Sequence, residues 1–97
     1  MSSVPALTPT PETYFGYVGH LVAGEVRFTP PVALHGPEAA WAYARQHGAR
    51  AAEIRVTDDL DFLVLHVEAG RLAWPTEAQG VPAAYVADFN AALAAAR

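Results

Sequence analysis

From Ala52 to Thr57 apolar and polar residues alternate: Ala52, Ile54 and Val56 against Glu53, Arg55 and Thr57. A period of two predicts a half-buried strand. Phe62 to Val67 is apolar throughout except for His66, the signature of a central strand. Asp58-Asp59-Leu60 reads as the turn between the two segments. Ala69-Gly70 turns the chain again into a short strand, Arg71 to Trp74, which Pro75 stops. Earlier in the chain Tyr14 to Val22 is rich in aromatic and β-branched residues, and Ala23-Gly24 separates it from Glu25–Thr29. A Gly at such a position supplies the positive φ of a tight hairpin turn. Pro30-Pro31 ends that second strand, because Pro donates nothing to a ladder.

Two segments change period. Gly36-Pro37-Glu38 opens a helix that Gly48 closes. Ala40, Tyr43, Ala44 and His47 share one side of it, with Trp41 at the edge. After a Gly/Pro loop over 75–81, Pro82 starts a second helix. Val86, Phe89 and Leu93 form its apolar stripe, with Tyr85 beside them. The predicted order is ββα-βββα. Short turns make the pairing antiparallel. The expected fold is α+β: a two-layer sandwich with an antiparallel sheet of four to five strands and two helices on one face. Leu63, Leu65 and Val67 are expected to lie under those helices. Residues 1–12, with Pro5, Pro9 and Pro11, are expected to form a flexible N-terminal arm, and 13–97 one domain.

An internal echo runs through this pattern. Val18-Gly19-His20-Leu21-Val22-Ala23-Gly24 is matched by Val64-Leu65-His66-Val67-Glu68-Ala69-Gly70, an offset of 46. The echo predicts that both Ala-Gly pairs are tight hairpin turns. It also predicts that His20 and His66 point away from the helices on the same face. If they lie on opposite faces, the repeat is coincidence and a paired-His site falls with it.

Composition narrows the function. The chain has 97 residues, is 53% hydrophobic and 16% charged, and has a net charge of −4. So few charges leave apolar surface exposed on a small domain, which favours self-association. All the basic residues are Arg and they are scattered, so nucleic acid and anionic membrane are not expected partners. Abundant Ala and Pro without Lys reflect a GC-rich coding sequence and point to a bacterial source. With no Cys there are no disulfides and no thiolate sites. The N-terminus lacks the basic and apolar regions of a signal peptide, and no apolar run reaches membrane-spanning length. A cytoplasmic location is the expectation.

The candidate chemistry is sparse. Ser occurs only at Ser2 and Ser3, and there is no nucleophile elbow, phosphate loop or dinucleotide fingerprint. Asp58, Asp59 and Asp61 crowd a turn but lack the spacing of a calcium loop. His35 stands at a helix entrance without a phosphate cradle, and His47 is a packing or capping residue. Glu53 and Glu68 could pair across strands, where Arg55 or Arg71 would bridge them. The expectation is therefore a non-catalytic, homodimeric interaction or regulatory module with no cofactor and no metal. Its interaction face would comprise Val18, His20, Val22, Phe62, Val64, His66 and Glu68. The alternative is a small-ligand or metal-binding protein, or minor enzyme, using His20, His66 and Glu68.

Overall fold

Alternating burial along Thr13–Val22 builds the first strand, β1, in the computed structural model, which describes residues 4–7 and 13–96. Tyr14 and Val18 turn inward, with Gly16 between them. The chain returns along one edge of β1 in two pieces, β2 (Glu25–Phe28) and β3 (Val32–His35). Pro30-Pro31 separates them. Helix α1 (Gly36–Gly48) follows, then β4 (Glu53–Thr57), β5 (Leu63–Glu68), β6 (Arg71–Trp74), a single 3₁₀ turn (Glu77–Gln79) and helix α2 (Ala83–Ala95). The six strands form one antiparallel sheet in the order β2-β1-β4-β5-β6, with β3 beside β2 on β1. This is the expected α+β two-layer sandwich, with one strand more than the sequence pattern predicts.

The extra strand is β3. A Pro pair removes ladder donors, so the pattern reads as a strand end. On an edge strand the loss is local. Thr29 keeps the pairing alive: its N–H donates to Val18 O at 2.9 Å, and its Oγ1 accepts from Val18 N at 3.2 Å. Pairing then resumes at Val32 opposite Gly16.

Both helices pack on one face. Ala40 and Ala44 are fully buried and let α1 lie close to the sheet. Gly16 extends that approach, since a Cβ there would sit 2.5 Å from Cε1 of Tyr43. Gly48 serves the far end of α1, where Leu93 of α2 and Val67 of β5 both press in. Trp41 lies at the centre of this layer rather than at its edge. Its ring meets Tyr85 and Phe89 of α2 edge-on, at centroid distances of 5.1 and 5.6 Å. Its Nε1–H donates to Pro5 O at 3.0 Å, and Leu7 is buried in the same core. Residues 4–7 of the expected arm thus pack on the body, while the rest of 1–12 lies outside the described residues. Asn90 Oδ1 accepts from Leu72 N at 2.8 Å and ties α2 to β6. No helix is long and apolar enough to cross a membrane among the described residues.

The expected face of β5 needs correction. Val56 pairs with Leu65, but Thr57 pairs with Leu63, so Val64 is an extra residue in a bulge. Leu65 and Val67 lie under the helices as expected. The bulge turns Leu63 outward (42% exposed) and buries Val64 (1%).

Both Ala-Gly turns are tight two-residue hairpins. Ala23 and Gly24 have φ of 53° and 82°, and Ala69 and Gly70 have 53° and 75°. Positive φ at both central positions is the type I′ turn that matches strand twist. Ala is the strained member, because its Cβ opposes a left-handed backbone. Replacing Ala69 by Asn, which tolerates this region, is expected to raise stability in urea denaturation by about 0.5–1 kcal/mol. Gly16→Ala should lower it by about 1–3 kcal/mol through the Tyr43 clash.

Candidate functional site

The sheet face away from the helices is organised by register. Residues paired on neighbouring strands share a face, so pairings define rows across the sheet. One row runs Phe28–Gly19–Glu53–Glu68–Arg71 over β2, β1, β4, β5 and β6. The next runs Tyr17–Arg55–His66–Trp74. A third runs Ala33–Phe15–Thr57–Leu63. The opposite face holds Val18–Ile54–Val67–Leu72 and Gly16–Val56–Leu65, which the helices cover.

On the uncovered face a polar centre is ringed by aromatic and aliphatic side chains. Glu53 is the hub. Its Oε1 accepts from Arg55 Nε at 2.6 Å and lies 2.7 Å from His66 Nε2, which donates when it carries the ring proton. Glu68 Oε2 stands 3.7 Å from the same His66 nitrogen. The Glu53 side chain is only 11% exposed and that of His66 17%. Arg55 extends over the Phe28 ring, its guanidinium carbon 4.9 Å from the centroid. Gly19 makes room for this, since a Cβ there would collide with Val26 and Phe28. Beside the hub a groove of about 420 Å³ is lined by Tyr17, Phe28, Arg55, Thr57, Asp61 and Leu63. Of the arginine contacts expected at a Glu53–Glu68 pair, the structure shows that of Arg55 with Glu53.

The sequence-predicted face is not one face. His66 and Glu68 are on the uncovered side. Val18 is buried beneath the helices, and Val64 is buried at the bulge. Phe62 is exposed but precedes β5. His20 and Val22 share the parity of Val18 and so belong to the helix side. They lie in the hairpin tip that runs beyond the start of β4. His20 borders a recess with Val18, His47 and Arg50. His20 and His66 are therefore on opposite faces, and the repeat reading and the paired-His site both fall. The cause is the register of β4. Gly19 and Glu68 both pair with Glu53, so the two strands are offset in space by 49 residues, three more than the echo of 46. An odd displacement inverts every side chain.

The remaining candidates are structural. Asp58 Oδ1 accepts from Leu60 N and Phe62 N at 2.9 and 2.8 Å, forming the turn it was expected to form. His47 packs on Tyr43 with ring centroids 4.7 Å apart. His35 Nδ1 lies 3.4 Å from Thr13 Oγ1 at the entrance of α1. Among the described residues one group of His and acidic side chains is spaced to hold a metal ion: Glu53, His66 and Glu68. Glu53 is the member that sequence reasoning left out of its site. The strict alternation of β4, which puts Glu53 and Arg55 together on the solvent side, was the available signal. No protein-family model matches the chain, nor does any curated protein or solved structure.

Burial pushes the Glu53 carboxyl up, but hydrogen bonds from Arg55 and His66 and their charges outweigh it. The net effect lowers it below its ordinary value of 4.5. A lowered carboxyl stabilises the fold above its unfolded value and ceases to do so as pH falls through the folded one. Glu53→Gln should therefore be less stable than the parent near neutrality. The gap should narrow below pH 4.5, the ordinary value of this group. Urea denaturation at the two extremes checks this, and a gap independent of pH would refute it.

Proposed function

We propose that this chain is a non-catalytic interaction module, bacterial and cytoplasmic, that pairs with a second copy of itself through the uncovered face of its sheet. One observation carries the reading: Phe15, Tyr17, Phe28, Leu63 and Trp74 stand on that face around the Glu53–Arg55–His66 centre. Among the described residues no helix lies over Phe15, Tyr17, Phe28 and Leu63, while Trp74, at the far edge, also borders a recess with Pro5, Ala6 and Val81. A sheet face that meets only water is normally polar along its length. An apolar and aromatic rim around a polar, hydrogen-bonded centre suits a self-complementary twofold contact, in which each patch meets its own copy. Trp74, Phe28 and Leu63 are the large side chains such a contact would bury, each 39–43% exposed in the single chain. The protruding hairpin supports the same reading, because Leu21 and Val26 pair across it on the same side of the sheet.

Light scattering on the purified chain at tens of micromolar should give twice the chain mass. Leu63→Arg and Phe28→Glu, both at exposed positions, should give monomers with unchanged helical and strand content by circular dichroism. A monomeric parent chain, or a dimer that both variants leave intact, rules the reading out.

A further inference from the structure

We infer that Glu53, His66 and Glu68 form a binding site for one divalent transition-metal ion of the zinc class. Self-association of the chain is not required for it. The site follows from strand geometry. His66 and Glu68 are two apart on β5, so they project from the same face. Glu53 on β4 is directly opposite Glu68. Like charges placed directly opposite each other destabilise a sheet unless something intervenes. Arg55 and His66 already offset part of that repulsion at Glu53, and a cation between the two carboxylates would offset the rest.

The distances fit. Ligand atoms about 2.0–2.2 Å from a tetrahedral zinc ion stand roughly 3.4 Å from one another. Here His66 Nε2 lies 2.7 Å from Glu53 Oε1 and 3.7 Å from Glu68 Oε2. All three ligand atoms fall within 4.8 Å of one another. One imidazole and two carboxylates are a borderline donor set, suited to zinc, cobalt or manganese rather than to a soft cation. His66 would bind as the neutral ring through Nε2, with its remaining proton on Nδ1. Three protein ligands leave a coordination position facing outward from the sheet, for water or for a donor from another molecule.

Arg55 is the competitor. It holds Glu53 Oε1, yet its side chain is half exposed and rests on Phe28. It can stay stacked on that ring while the metal takes the carboxylate. Arg55 therefore weakens the site without blocking it.

Calorimetric titration of the tag-free full chain with zinc chloride near neutral pH tests the assignment. One ion per chain is expected, with cobalt substituting and giving visible absorption bands. Glu68→Gln and His66→Ala should each weaken binding at least about tenfold, the loss that even an outer hydrogen-bond partner can cause. Arg55→Gln, which frees Glu53, should tighten it. His20→Ala, on the other face, should leave it unchanged. Glu68 is exposed, so Glu68→Gln keeps the fold and carries the test alone if His66→Ala does not fold. Absence of saturable binding below millimolar zinc overturns the assignment. So does binding that survives Glu68→Gln, or binding that His20→Ala removes.

Discussion

The pairing of β4 with both of its neighbours is the constraint on which the rest of the structure depends. Ile54 and Val56 are fully buried against the helices, so β4 can present only Glu53, Arg55 and Thr57 to the other side. Slipping the strand by one residue would bury a carboxylate and a guanidinium beneath α1, at a cost no surface contact could offset. With β4 held in this way, its neighbours follow. Gly19 falls opposite Glu53 on one side and Glu68 on the other. Tyr17 and His66 then flank Arg55, and Trp74 follows His66. The polar centre and its apolar ring are consequences of one register.

Much of the architecture was legible because its signals are local. Ala23-Gly24 and Ala69-Gly70 mark their hairpins through backbone conformation alone. The stripe Val86, Phe89 and Leu93 is the buried side of α2, as its spacing predicts. What local signals could not carry was the relation between distant segments. The echo between 18–24 and 64–70 correctly matches two turns, yet those turns end strands displaced by an odd number of residues. His20 and His66 have the same neighbours in sequence and opposite neighbours in space. The bulge at Val64 is hidden for the same reason: it is a mismatch between two strands, and neither strand shows it alone. Strand β3 was missed because Pro30-Pro31 reads as a stop, whereas an edge strand can lose two donors and resume.

The uncovered face combines two properties that are usually separated. Its rim is apolar and aromatic, and its centre holds a carboxylate with little access to water. Glu53 is kept ionised there by Arg55 and His66, so the charge is compensated within the sheet. A surface of this kind can be covered without stranding a charge, because the hydrogen bonds are already made. Glu68 differs from Glu53 in being exposed, with its nearest imidazole nitrogen beyond hydrogen-bond distance. That asymmetry makes Glu68 the more accessible carboxylate of the pair.

The central claim is the register of β4, and backbone nuclear Overhauser contacts on the isotope-labelled chain measure it most directly. Cross-strand contacts are expected to pair Glu53 with Gly19 and with Glu68, and Arg55 with Tyr17 and with His66. Contacts displaced by one residue on either side of β4 would contradict it, since they would move His66 or Tyr17 to the helix face and dissolve the site.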